Sequence, residues 1–273
     1  MEFKRILTIQ DISCLGQCSL TVALPILSAC GFETCILPTA LLSAHTAFQN
    51  PAITQLAELM PAVRSHWERE KITFDAIYTG YLGSVAAIHE TIQIANTLLK
   101  PGGLFVVDPA MADFGELYTG FDQEYAEEMK KLCSRADIIL PNITEAAIMT
   151  GLPFKEQPDR AYVDELLKRL NHPCTVLTGA GYREEESGVA VLHQGRRFDY
   201  QHKKTLRTCH GTGDVFASSF VGACLRGKSL ETAAQIAADT VCLSIAATME
   251  DPDHWYGVRF EPVIPRLLQM LED

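Results

Sequence analysis

Short apolar runs rich in β-branched residues recur along the first two thirds of the chain, and runs of this length are typical of buried strands. Helical patterns separate them; for example, the apolar positions of 163–170 form one stripe. Alternating strands and helices predict an α/β fold with a doubly wound, mostly parallel central sheet flanked by helices. The predicted strands are 5–9, 34–37, 76–78, 104–107, 137–140 and 175–177.

The pattern changes after Thr178. Two strand-like runs, 189–192 and 197–200, flank Gln194-Gly195, which predicts a hairpin and a small antiparallel edge extension. The segment 233–247 is so nearly apolar that we expect a helix buried on most sides. Without repeats or linkers, a chain of 273 residues with 47% hydrophobic content predicts one domain over residues 1–273.

Composition narrows the class of protein. A net charge of -11 and a pI of about 5.2 oppose binding to nucleic acid. The N-terminal apolar run stops at Gln10 and is too short for a secretory signal. Polar residues interrupt the uncharged stretch 12–32, so this stretch is predicted to form a loop and a helix rather than a membrane span. Nine scattered cysteines are typical of the reduced cytoplasm.

Ligands of open α/β sheets bind beyond the carboxyl ends of the strands, so the polar residues there deserve most weight. The strongest signal is Gly211-Thr212-Gly213-Asp214, which leads directly into a helical pattern. Small residues at a helix start leave N–H groups available to a phosphate. Asp214 could then accept the proton of an attacking hydroxyl, although an ordinary glycine turn with an acidic first-turn residue has the same pattern.

Carboxylates follow two neighbouring predicted strands. Asp113 and Glu145, with Asp108 behind them, could hold Mg²⁺ through waters. A structural interpretation is also open, because Asp108-Pro109 is typical of a turn and Asn142 with Glu145 is typical of a helix capping box.

Two nucleotide motifs are rejected on context. Residues 222–229 match the P-loop pattern, but they follow a helical pattern rather than a buried strand, so Gly227 is expected to end one helix and Ser229 to cap the next. The dinucleotide fingerprint G-x-G-x-x-G is missing, which argues against hydride transfer.

The Gly211-to-Asp214 turn resembles the anion-hole and catalytic-base signature of the ribokinase superfamily. Five further motifs in the same order along nearly the whole chain resemble the pyridoxal kinases within it. They are Ser43-Ala44-His45-Thr46, Thr79-Gly80-Tyr81-Leu82-Gly83-Ser84, Asp108-Pro109-Ala110-Met111 and Pro141-Asn142-Ile143-Thr144-Glu145, with Ile6-Leu7-Thr8-Ile9-Gln10 at the first strand.

That resemblance implies phosphorylation of the hydroxymethyl group of a vitamin B6 compound by ATP with Mg²⁺, in a homodimer, and leaves open a monovalent cation. Asp214 would be the base, and Gly211 and Gly213 the anion hole. The other implied roles are substrate binding by Asp11, His45, Thr46 and Tyr81, ATP binding by Asn142, Thr178, Thr212 and the 205–209 segment, adenine contact by Val241 or Ile245, and metal binding by Asp108, Asp113 and Glu145.

Two implied roles stay open. His45 either faces the substrate or braces its loop. Asp11 stands where pyridoxal kinases usually have Ser; it either faces the ring nitrogen and favours a pyridinium, or turns toward the helix that begins near Ser19.

Three rival functions remain. Hydroxymethylpyrimidine kinase shares the superfamily fold and presents a similar ring hydroxymethyl, although the motifs around Thr46 and Tyr81 favour B6. A non-catalytic B6-binding protein and a P-loop NTPase are the rivals from other classes. An intact Asp214 argues against the first, and the helical context of 222–229 against the second.

Overall fold

The computed structural model describes residues 4–204, 209–251 and 253–273. Within these ranges the strands are β1 (Arg5–Ser13), β2 (Glu33–Leu42), β3 (Ile53–Gln55), β4 (Phe74–Thr79), β5 (Leu99–Val107), β6 (Ala112–Asp113), β7 (Glu116–Leu117), β8 (Ile138–Ile139), β9 (Cys174–Thr178), β10 (Glu186–His193) and β11 (Arg196–Lys203). The helices are α1 (Leu20–Ala29), α2 (Met60–Arg69), α3 (Val85–Leu98), α4 (Gln123–Cys133), α5 (Ile143–Thr150), α6 (Arg160–Leu170), α7 (Thr212–Leu225), α8 (Leu230–Met249) and α9 (Ile264–Glu272).

The chain divides into two compact units. The first comprises Met1–Leu104 and Thr205–Asp273, and the second Phe105–Lys204. In the first unit β1 pairs in parallel with both β2 and β4, and β3 adds an antiparallel edge to β2. The fully buried side chains of β1 and β4, among them Ile6, Leu7 and Ile77, form part of its core.

The second unit is also mostly parallel at its centre. Strand β8 pairs in parallel with β5 and β9, while β10 is antiparallel to both β9 and β11. Gln194 (φ 50°) and Gly195 (φ 78°) form the turn between β10 and β11, as an I′ hairpin requires. The α/β class, with its helices and antiparallel edge extension, is confirmed.

The P-loop-like segment lies between two helices. Helix α7 ends at Leu225, Gly227 has φ 88°, and the Ser229 side chain caps α8 by accepting the N–H of Thr232 at 3.2 Å. The prediction for Gly227 and Ser229 is therefore confirmed, and the backbone geometry of a phosphate loop is absent from this described segment.

Helix α8 is less buried than the sequence predicts. Leu243 is 40% exposed, and half of the most apolar window is buried. Among the described residues, α8 alone has the length and apolar composition of a membrane span, properties that it shares with core helices. The expectation of burial on most sides is wrong at Leu243 and Ala246, which are exposed.

Candidate active site

The glycine turn at the start of α7 has two glycines with different physical roles. Gly211 has φ 82°, and a Cβ atom there would collide with the Gln17 carbonyl oxygen, so the close approach of the backbone at 211 to Gln17 requires glycine. Gly213 is exposed, and a Cβ atom there would meet none of the described atoms within 4 Å. Packing against the described residues therefore does not require glycine at 213.

Thr212 and Asp214 complete the turn. The Thr212 hydroxyl donates to the Cys209 carbonyl oxygen at 3.2 Å, which closes the turn before the helix. Asp214 is half-buried in the first turn of α7. The pKa of Asp214 is raised to about 7, mainly by burial; the Ser19 N–H lowers it, and the charge of Asp11 raises it.

Asp11 is the second carboxylate of this site. It lies in β1, is 4% exposed, and accepts a hydrogen bond from the Ser13 hydroxyl at 3.0 Å. Burial raises the pKa of Asp11, and the hydroxyls of Ser19 and Ser13 lower it.

The charge of Asp11 also reaches two neighbours. Burial raises the pKa of the half-buried Tyr81 phenol, and the charge of Asp11 adds to that effect. The pKa of the Cys18 thiol is raised well above its usual value by burial and then by Asp214 and Asp11. The first unit therefore brings Asp11, Tyr81 and Asp214 into one electrostatic neighbourhood. Asp11 therefore acts on the pKa of Tyr81, and both roles predicted for Asp11 stay predictions.

His45 braces the loop after β2. Its Nδ1 accepts the Ala47 N–H at 3.2 Å, so Nε2 carries the proton and donates to the Tyr256 carbonyl oxygen. A Cβ atom at Gly16 would collide with the imidazole ring, so the loop after β1 packs against it. Both ring nitrogens are thus bonded within the protein, whereas the neighbouring Thr46 is exposed.

In the second unit, Glu145 and Asn142 form the capping box of α5. The Asn142 side chain accepts the Glu145 N–H at 2.8 Å, and Glu145 Oε2 accepts the Asn142 N–H at 2.8 Å. Glu145 Oε1 accepts the Met111 N–H at 3.1 Å. Burial nevertheless raises the pKa of Glu145 to about 7, against these donors, and the charge of Asp113 adds to the rise.

The other candidate residues of this unit surround the same cap. Asn142 Nδ2 donates to the Ala112 carbonyl oxygen at 2.9 Å, and the Thr178 N–H donates to the Pro141 carbonyl oxygen at 3.0 Å. Burial raises the pKa of the Cys133 thiol, and the charges of Glu145 and Asp108 also raise it. Asp113 is exposed.

A metal bound directly by several side chains does not fit this geometry. Within the described ranges, no three His, Cys, Asp or Glu side chains converge on a metal-sized site. Both Glu145 oxygens already accept backbone N–H groups, and Asp113 is exposed. The donor chemistry fits a hydrated Mg²⁺, held through waters and by the phosphates of a nucleotide.

The structure does not test the predicted ATP and adenine contacts, and the sequence did not reveal the part played by Ser19. Residues 205–208 of the predicted ATP segment lie outside the described residues. Val241 is half-buried and Ile245 buried in α8, and neither reveals a nucleotide contact. Sequence reasoning gave Ser19 no role beyond its place at the helix start, yet it lowers the pKa values of both Asp11 and Asp214. Its backbone geometry, the most distinctive signal, is not readable from the sequence.

Comparison with known proteins now adds to the geometry. The family described as phosphomethylpyrimidine kinase matches residues 28–257. The crystal structure of pyridoxal kinase from Lactobacillus plantarum is 34% identical, with a TM-score of 0.90 and 98% of each chain covered. A phosphomethylpyrimidine kinase structure from Bacteroides thetaiotaomicron, in a crystal form with pyridoxal, is 33% identical, with a TM-score of 0.93 over 97% of this chain and 96% of that one.

A curated relative extends the likeness over most of the chain. The pyridoxal kinase of Arabidopsis thaliana is 24% identical across 98% of this chain and 90% of its own length. The family match covers well over half of the sequence, and the Lactobacillus likeness exceeds 30% identity. This chain therefore belongs to the family of pyridoxal and phosphomethylpyrimidine kinases in the ribokinase superfamily, and it is a kinase.

Proposed function

We propose that this enzyme transfers the γ-phosphate of ATP to the 5′-hydroxymethyl group of pyridoxal, pyridoxamine or pyridoxine. The proposal treats residues 1–273 as one kinase domain that pairs into a homodimer, the commonest closed symmetry. Two relatives named above are pyridoxal kinases, and a third was crystallised with pyridoxal.

The observation that carries the proposal is Asp214 beside the open Gly213 position. A hydroxyl attacking a phosphoryl group must lose its proton, and a carboxylate with a pKa near 7 is well matched to accept it at neutral pH. The N–H groups at the start of α7 can stabilise the charge on the transferring phosphoryl oxygens. The phosphoryl group passes directly from the nucleotide to the hydroxyl, so no covalent enzyme intermediate is needed.

The second unit supplies the groups proposed for the nucleotide and the metal. Mg²⁺, when bound, would neutralise charge on the triphosphate, held through waters by Asp113 and Glu145 with Asp108 behind them. Asn142 and Thr178 adjoin the same cap and are proposed to contact the nucleotide, with Thr212 at the glycine turn. A monovalent cation is not needed for the step as written.

Tyr81, Thr46 and Asp11 are proposed to recognise the ring. A half-buried tyrosine can stack on a planar pyridine, and the exposed Thr46 hydroxyl can bond a ring substituent. Asp11 would favour a protonated ring nitrogen through a charge-assisted hydrogen bond. His45 is proposed to act indirectly, by bracing the loop that carries Thr46.

Hydroxymethylpyrimidine kinase is the second candidate, because the matching family carries that description. Initial rates with each B6 vitamer and with hydroxymethylpyrimidine, at equal ATP and Mg²⁺, separate the two. We expect at least one vitamer to have a higher kcat/KM than hydroxymethylpyrimidine. The reverse order would assign the chain to thiamine precursors, and no turnover of either substrate class would contradict the proposal.

Asp214→Asn should lower kcat by about a hundredfold or more, because the general base is lost. The same change should stabilise the fold at pH 8, since it removes a partly buried charge that lies near Asp11. Steady-state kinetics and thermal unfolding of the purified variant measure the two effects. An unchanged kcat would refute the role of Asp214 as the base.

Gly213→Ala and Gly211→Ala form a matched pair. Gly213→Ala should keep or raise stability by up to about 1 kcal/mol, since alanine favours the helix, but it should lower kcat by filling the space over the N–H groups. Gly211→Ala should destabilise the fold by more than about 1 kcal/mol, because φ is positive and Gln17 is too close. Full activity in stable Gly213→Ala would show that no phosphate occupies this turn.

A further inference from the structure

The segment 253–258, between α8 and α9, contacts three loops at the proposed active site of the first unit. It lies outside both helices, yet Gly257 and Val258 are buried. Buried backbone outside helices and strands needs hydrogen-bond partners for its N–H and C=O groups. The segment finds partners in the loop after β1 (14–19), the loop after β2 (43–48) and the glycine turn (209–213), as described next.

The loop after β1 is joined to the segment by Gln17. The backbone of Gln17 forms a parallel bridge with Gly257. The Gln17 amide nitrogen donates to the Glu261 carboxylate at 2.6 Å, so the amide oxygen is left to accept the Nε2–H of His254 at 2.9 Å. The carbonyl oxygen of Gln17 is also the atom that a Cβ at Gly211 would strike. Gln17 therefore connects the segment to the glycine turn.

The loop after β2 is anchored on both sides of its proposed substrate contact, Thr46. Before it, His45 Nε2 donates to the Tyr256 carbonyl oxygen. After it, the Phe48 ring packs against the rings of Trp255 and Tyr256, with centroids 4.7 and 5.8 Å apart. The exposed Thr46 thus lies between two residues that the segment holds.

The glycine turn bonds to the same segment directly. The Val258 N–H donates to the His210 carbonyl oxygen at 3.0 Å, one residue before Gly211. The His210 and His45 rings also lie against each other, with centroids 5.0 Å apart. The ring-binding loop and the phosphate-binding turn are therefore fixed to positions only two residues apart in the segment.

We propose that the 253–258 segment sets the distance between the Thr46 loop and the glycine turn, with Gln17 and His254 as its positioning residues. This inference rests on the proposed function. Transfer requires the attacking hydroxyl to lie close to the phosphorus atom and in line with the leaving oxygen, and a misplacement of about 1 Å can cost about a hundredfold in rate. Vitamer binding alone lacks this requirement. Weakening the segment should therefore lower kcat more than it raises KM.

His254→Ala tests the bond to Gln17. We expect kcat to fall by about tenfold and KM for the B6 vitamer to change by less than about twofold, because geometry is lost rather than a substrate contact. His254→Gln supplies an amide N–H in place of the imidazole N–H and should recover most of the wild-type kcat. Steady-state kinetics at saturating ATP and Mg²⁺, well below the melting temperature, separate kcat from KM. Unchanged kcat in His254→Ala, or an equal loss in His254→Gln, would overturn the positioning role.

Gly257→Ala shifts the same contact without removing a polar group. A Cβ atom at residue 257 would lie 3.0 Å from the Gln17 backbone nitrogen and amide oxygen, so the loop after β1 must move by a few tenths of an ångström. We expect a lower kcat with little change in KM for the vitamer. Wild-type kcat in this variant would show that the spacing does not limit transfer.

Two controls separate positioning from stability. In a Gln17→Ala background, His254→Ala should have little further effect on kcat, because the imidazole then lacks its partner. Arg64→Ala removes an ion pair with Glu90, between α2 and α3 of the same unit, and should lower the melting temperature with kcat unchanged. A lower melting temperature with unchanged kcat in His254→Ala as well would make the segment purely structural.

The failures of the two proposals are distinguishable. Wild-type kcat in His254→Ala and Gly257→Ala, or an undiminished effect of His254→Ala without the Gln17 side chain, would overturn the positioning role while the kinase remains active. An inactive wild-type chain would instead contradict the proposed function itself.

Discussion

The burial of two carboxylates, Asp11 and Asp214, in one unit is the constraint on which the site depends. Removing both charges from water is costly, and their mutual repulsion adds to the cost. The fold raises the pKa of Asp214 from 3.8 to about 7, so between these values the folded chain binds more protons than the unfolded chain. The contribution of Asp214 to the free energy of unfolding therefore falls as the pH rises through that range. Above pH 7 the full cost of burying its ionised form applies.

That cost has a chemical use. A carboxylate with its ordinary pKa is a weak proton acceptor, whereas one with a pKa near 7 is a stronger base of which about half is still ionised at pH 7. The penalty is limited by residues at the end of β1 and just before α1: the Ser13 hydroxyl donates to Asp11, and Ser19 lowers the pKa values of both carboxylates. In the second unit, the backbone N–H groups of Met111 and Asn142 donate to the buried Glu145 carboxylate and offset part of the cost of its burial.

The features that could be predicted from the sequence are those set by local sequence pattern. Apolar runs located the buried strands, and the glycine turn located the start of α7, because both signals depend on neighbouring residues. The extension of β1 to Ser13 was not predicted, since its last residues are polar and pair with β2 only in the folded chain. The two-residue strands β6 and β7 are too short to leave a pattern.

At the site, what sequence reasoning missed was set by contacts between distant residues. The effect of Ser19 on the pKa of Asp214 joins residues that are nearly 200 positions apart in the chain. The bond of His45 to the Tyr256 carbonyl oxygen, which favours the bracing role, joins residues that are equally remote in sequence. The two meanings of the Asn142 and Glu145 pattern both survive, because a capping carboxylate can also face bound waters.

The pH dependence of kcat/KM, compared between the wild-type enzyme and Asp11→Asn, tests the central claim most directly. Ionisation of the free vitamer is common to both enzymes, so the difference between the profiles reports the loss of the Asp11 carboxylate, both as a charge near Asp214 and as the proposed partner of the ring nitrogen. The account predicts that wild-type activity falls as the pH drops below about 7, and that this fall moves to lower pH in Asp11→Asn because the neighbouring charge is gone. Identical acid limbs in the two enzymes, or an acid limb near pH 4 in the wild type, would contradict it.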